Sequence, residues 1–203
     1  MPPWGSYTAP DGPEGALPFC FDPSTPLQLI VVVEDHTPCA HPPPGNSRLA
    51  AGQIVRVDVG ATFGLYCSDV GRTAAAGHWR PDVRQAFDSL RLVRETIIPS
   101  LRPGMRIGDI QPKIMQLFPR FGLPEPSLHT MLMGHGLGIE IHEPPIIEPS
   151  TDTELTPGMV LNIEPDVRPN GLCLAHENTF LVTDENVELL APLENDSPLL
   201  IDG

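Results

Sequence analysis

Two stretches of this chain are built like β-hairpins, and each sets a pair of acidic residues face to face. In Ile54–Ala61, Val55, Val57 and Val59 alternate with Arg56 and Asp58, the pattern of a strand with one polar face. A second strand-like segment carries Asp69, and a short turn containing Gly64 joins the two. A two-residue turn centred between Phe63 and Gly64 puts Asp58 directly across from Asp69. Glu164 and Glu177 repeat the arrangement on Met159–Glu164 and Glu177–Thr183, about a turn at Asn170-Gly171. Asn-Gly is a strong hairpin signal because both residues tolerate the positive φ of a type I′ turn. Like charges directly opposite one another destabilise a sheet. Two such pairs require a compensating cation.

A lone acid in a strand is usually an exposed surface charge. Here, however, Val57 and Val59 flank one acid, and Ile163 and Pro165 flank another. Inward acids without partners carry a heavy desolvation cost. Carboxylates joined by one imidazole suit divalent ions such as Mn, Co, Fe or Zn. Three histidines are placed to contribute. His135 lies within Gly134-His135-Gly136-Leu137-Gly138, where the glycines allow close backbone approach. His142 opens His142-Glu143-Pro144-Pro145, and His41 precedes a proline run leading to the first acidic strand. Taken singly, each is more often a structural or exposed histidine than a ligand. His36, His78, His129 and His176 earn no role.

The rest of the chain reads as one α+β domain. Residues 1–26 are rich in Pro and Gly without periodicity, which predicts an irregular arm, and 27–203 are expected to form a single domain. Leu27–Val33 predicts a buried strand. Val83, Phe87, Leu90 and Ile97 recur at helical spacing between Pro81-Asp82 and Pro99. Ile110, Ile114, Leu117, Phe118 and Phe121 form a second apolar stripe, entered through Asp109 and Pro112 and closed by Gly122. Strands, then helices, then strands imply helices covering one face of a curved sheet.

The formal charge of −14 argues against nucleic acid and anionic membranes as partners. Cys20, Cys39, Cys67 and Cys173 show no C-x-x-C pairing, and reduced thiols in a cytoplasmic protein are expected. The N-terminus lacks a basic stretch leading into an apolar one, so no signal peptide is expected. The apolar run Leu29–Val33 is far too short to span a bilayer.

The series VDVGATFGLYCSDVGRT, MGHGLGIEIHEPP, GMVLNIEP and HENTFLVT resembles the pita-bread metallohydrolases from about His41 to Leu190. That superfamily holds methionine aminopeptidases, Xaa-Pro aminopeptidases, prolidases and creatinases. The resemblance implies a curved antiparallel sheet covered by helices. It also implies two divalent ions held by Asp58, Asp69, His135, Glu164 and Glu177, with Asp69 bridging them. His41 and His142 match two histidines that face the substrate without binding metal. Ser68-Asp69-Val70-Gly71-Arg72-Thr73, and His41 lying 17 residues before Asp58, are similar to the proline-specific branch.

The chain also departs from the family pattern. Ala175 stands where relatives carry Arg, and Asp166 and Val167 stand where Gly and Tyr are common. Nothing resembling the usual opening helix pair precedes Leu27, so the sequence reads as N-terminally truncated.

The implied activity is hydrolysis of an N-terminal Xaa-Pro bond in a peptide substrate, with Glu164 as general base and acid. His142 and His41 would donate hydrogen bonds to the reacting groups. The resemblance also admits a creatinase-like amidohydrolase, a catalytically silent binding module, and a homodimer.

Overall fold

The acidic hairpins are the frame on which the rest of the domain is assembled. In a computed structural model, described over residues 27–34, 48–124, 133–190 and 198–201, the first forms from β2 (Ile54–Phe63) and β3 (Tyr66–Ala76). β1 (Leu27–Val33) pairs antiparallel with β2, and β11 (Leu199–Ile201) pairs parallel with β3, giving the order β1-β2-β3-β11. A second sheet has the order β10-β9-β6-β4-β5. It uses β4 (Gly134–Gly136), β5 (Glu143–Ile146), β6 (Val160–Ile163), β9 (Asn178–Val182) and β10 (Val187–Leu189). Beyond β6, the ribbon of β7 (Asp166–Val167) and β8 (Leu174–Ala175) completes the second hairpin.

The helices fall where the apolar stripes lie. α1 spans Pro81–Ile97, with Pro81 in its first turn, where a missing N–H costs nothing. It buries Val83, Phe87, Leu90, Val93 and Ile97. α2 spans Ile110–Arg120 and buries Ile110, Ile114 and Phe118, while Leu117 and Phe121 pack half-buried against the core. Gly122 closes it at φ +73, a conformation that suits glycine. Both stripes meet strand residues Ile54, Ala75, Leu161, Ile163, Phe180 and Val182 in one core.

Two expectations need correction. β1 is a strand, but not a buried one. It lies at a sheet edge with Leu29 57% and Val31 55% exposed, since only one of its faces meets the core. The hairpin turn is Gly64-Leu65, one residue later than expected, so Asp58 pairs with Gly71 and Asp69 with Gly60. Leu65 takes φ +74, a conformation no sequence rule assigns to leucine. The second hairpin keeps its expected register. Ile163 pairs with Asn178 and Asp166 with Ala175, which sets Glu164 level with Glu177 in the gap between the two ladders. Asn170 (φ +53) and Gly171 (φ +83) form its turn, with the Leu172 N–H donating to the Pro169 carbonyl at 3.0 Å.

A polar seam joins the two hairpins. The Thr73 hydroxyl donates to the Ala175 carbonyl (2.8 Å) and accepts from its N–H (3.1 Å). The Glu177 N–H donates to the Gly71 carbonyl (3.0 Å), and the Thr179 hydroxyl to the Asp69 carbonyl (2.7 Å). Residues 69–73 therefore run antiparallel alongside 175–179, and the seam passes through the site acids themselves. No helix among the described residues is long and apolar enough to cross a membrane. Residues 1–26 and His41 lie outside the described residues.

Candidate metal centre

Asp58 and Asp69 are staggered by two residues rather than opposed, and a stagger of two keeps both side chains on one face. The residue directly across from Asp58 is Gly71, and it has a reason to be glycine. A Cβ there would lie 2.4 Å from Glu177 Oε2. The missing side chain is the space through which Glu177 reaches the aspartates.

Glu177 is held by two side chains, at its backbone and at its carboxylate. Arg72 donates through Nη1 to the Glu177 carbonyl, and through Nη2 to Asn178 Oδ1 at 2.9 Å. Asn162, fully buried on β6, donates through Nδ2 to Glu177 Oε1. Glu164 is positioned by its own N–H, which donates to the Met133 carbonyl at 3.1 Å and extends the β4–β6 pairing.

His135 pairs with Asn162 on the same sheet. Its flanking glycines are required by close approach: a Cβ on Gly134 would lie 2.0 Å from the Asn162 carbonyl oxygen, and one on Gly136 2.7 Å from the Glu143 and Pro144 carbonyls. His135 Nδ1 lies 3.0 Å from the Gly136 carbonyl, which can only accept. The ring proton therefore belongs on Nδ1, and the Nε2 lone pair points 3.5 Å from Asp69 Oδ2 and 3.3 Å from Glu164 Oε1.

Three sets of ligand atoms gather within 4.8 Å of one another: Asp58, Asp69 and Glu177; His135, Glu164 and Glu177; Asp69, His135 and His142. All five residues expected to bind metal thus converge. His142, expected to stand outside the cage, comes close as well, its ring 4.2 Å from that of His135.

The electrostatics are those of a site short of positive charge. Burial first, then repulsion from Asp58, pushes the Asp69 carboxyl up to about 7. Glu164 and Glu177 lie well above the usual carboxylate range, through burial first and then through the neighbouring acids. Burial lowers His135, keeping the imidazole neutral and able to act as a ligand. His135 Nε2 and Glu164 Oε1 are buried without a hydrogen-bond partner among the described residues, and they face each other. Buried polar atoms are almost always satisfied. A divalent cation is the chemistry that satisfies a neutral imidazole and a cluster of carboxylates together.

Gly71, Arg72 and Asn162 escaped the sequence reading as parts of the site. Arg72 lies inside the Ser-Asp-Val-Gly-Arg-Thr motif, which was the available signal. Nothing local marks Asn162 as a support for a residue 15 positions away.

Comparison with known proteins gives the chain a family and a fold. The profile of Metallopeptidase family M24 matches residues 16–184. An uncharacterised peptidase of Staphylococcus aureus (strain bovine RF122 / ET3-1) is 30% identical over 169 residues, covering 83% of this chain and 48% of that protein. Among solved structures, the dipeptidase PepE from Mycobacterium ulcerans superposes with a TM-score of 0.78 at 27% identity, covering 86% of this chain and 47% of its own. The prolidase from Pyrococcus furiosus gives 0.74 at 27% identity, with coverage of 82% and 49%. The chain thus spans about half the length of the curated relatives it matches.

Proposed function

We propose, from the premise that this chain belongs to metallopeptidase family M24, that Asp58, Asp69, His135, Glu164 and Glu177 hold two divalent cations (Mn, Co, Fe or Zn) and that the site hydrolyses the bond before a proline in second position. The observation that carries the reading is the pair of unsatisfied buried atoms, His135 Nε2 and Glu164 Oε1, aimed into the carboxylate cluster. When bound, such a pair of cations lowers the pKa of water and polarises the scissile carbonyl.

The chain's own residues do the rest. Glu164, with 23% of its side chain exposed, is open enough to exchange a proton, whereas Asp69 and Glu177 are buried. It takes one from the attacking water and passes it to the leaving nitrogen. His142, beside His135 and half-buried, donates to the oxygen that gains charge, a role worth roughly 3–4 kcal/mol in comparable sites. His41 serves the substrate backbone in the same reading. Asn162 and Arg72 keep Glu177 from turning away as protons move.

Peptides longer than two residues are accepted at least as well as dipeptides. Ala175 offers no cation to grip a dipeptide's terminal carboxylate. The prolidase and dipeptidase names of the solved relatives favour the dipeptidase alternative. Metal analysis followed by kcat/KM for an Xaa-Pro dipeptide and the matching tripeptide separates the two. A dipeptide preference of tenfold, about 1.4 kcal/mol, overturns the aminopeptidase reading.

A further inference from the structure

The first sheet has two faces of opposite character. Asp58, Asp69 and Gly71 share the face turned to the acidic centre. Alternation turns their neighbours the other way. The register then sets Val31 beside Val57, Leu29 beside Val59 and Val59 beside Val70, with Phe63 beside Tyr66 at the hairpin tip. This outer face is bare. Leu29 and Val31 are exposed, Phe63 is 92% and Tyr66 68% exposed, and Val57, Val59 and Val70 are only half-buried. A large exposed apolar patch marks an interaction surface.

The second sheet shows the cover that the first one lacks. There His135 and Asn162 share the site face, and alternation gives the opposite face Leu161 and Ile163, which join α1 and α2 in the core. Both helices are spent on that core, and the described residues hold no further α-helix. The charge of the bare face points to a second copy of this chain. No Asp or Glu stands among the outward residues of β1, β2 and β3, although the chain carries 26 acids and a net charge of −14. Two copies can meet here without opposing like charges. The one outward cation of these strands, Arg72, is already held by the Gly71 and Glu177 carbonyls. The strip is also graded, with aromatic rings at the hairpin tip and valines behind them. A twofold axis that reverses one copy lays tall side chains against short ones. Strands ~4.8 Å apart, rising ~3.4 Å per residue, give this face roughly 500 Å2. Two copies would bury about 1,000 Å2, the lower bound for a specific interface.

We propose that the outer face of the first sheet is a homodimer interface, with two copies packed sheet on sheet about a twofold axis. The face lies directly behind Asp58 and Asp69, so the second copy backs the strands that carry them. This pairing needs no metal.

Analytical ultracentrifugation of the full metal-free chain over a range of micromolar concentrations tests this in wild type, Leu29→Asp, Phe63→Asp and Leu92→Asp. Leu92 is also exposed, but on α1 rather than on the sheet. Wild type is expected to dimerise. Each sheet variant raises the dimer Kd at least ~100-fold, because the twofold axis sets two new carboxylates in one interface. Leu92→Asp leaves the Kd unchanged. Circular dichroism checks that each variant is folded, and if Leu29→Asp is not, Phe63→Asp at the open hairpin tip decides. A wild type that stays monomeric, a dimer that survives either sheet substitution, or equal weakening by Leu92→Asp overturns the proposal.

Discussion

The two acidic hairpins solve one problem with different geometry. In the β6–β9 hairpin the turn residues Asn170 and Gly171 both accept positive φ, and Glu164 and Glu177 stand level. In the β2–β3 hairpin the turn is Gly64-Leu65, and Asp58 and Asp69 are staggered by two. The stagger places Gly71 opposite Asp58, and that gap admits Glu177 from the other hairpin. Level acids in one hairpin and staggered acids in the other let four carboxylates meet without colliding. A register error of two leaves every side chain on its face, whereas an error of one would have turned Asp58 out of the site.

The largest test of this arrangement removes an acid from the staggered hairpin. Asp69→Ala is expected to abolish divalent metal binding and reduce peptide hydrolysis to background, because Asp69 belongs to two of the three ligand groups. Calorimetric titration with Mn2+ beside activity checks it, and full metal binding would show that Asp69 is no ligand.

Next in size is Gly71→Ala, which closes the gap between the hairpins. Position 71 has no positive φ, so the backbone tolerates alanine, but the new methyl group meets Glu177. Metal affinity is expected to fall ~10–100-fold, as when a metal ligand loses its support. Overpacking costs a further ~1–3 kcal/mol of stability. Unchanged affinity would mean that Glu177 does not enter through this gap.

The pH response is a third test, centred on Asp69. Its folded value of about 7 lies above the ordinary 3.8. A raised carboxyl contributes stability that is fully present below the unfolded value and is lost as pH rises through the folded one. The metal-free protein should therefore lose Tm between about pH 4 and pH 7, while the gain from Mn2+ grows over the same window, since binding needs the carboxylate. A metal gain independent of pH there would contradict the assignment.

The smallest effects lie in the turns and have opposite signs. Gly171→Ala places a side chain at φ +83 and should cost about 1 kcal/mol. Leu65→Gly relieves φ +74 and should gain up to about 1 kcal/mol, less the entropy of the added glycine. Urea unfolding of each checks the pair. Equal signs would show that the two turns do not differ as described.

Much of this protein was legible in its residues. The alternation around Asp58, the Asn170-Gly171 turn and the stripes of α1 and α2 are local patterns, set by side-chain period and backbone preference. They fix strands, one register and two helices without reference to the remaining chain. The glycines around His135 were legible for the same reason. What the tertiary structure decided depends on long-range contact. The β2–β3 register rests on a leucine in a left-handed conformation, which neighbouring interactions must hold. The exposure of β1 depends on which of its faces finds a partner. Gly71 matters because Glu177 arrives from 106 positions later, and Asn162 because it touches that same carboxylate. Sequence periodicity carries information over a few residues. The closeness of two charges across two hairpins is decided only when the sheets meet.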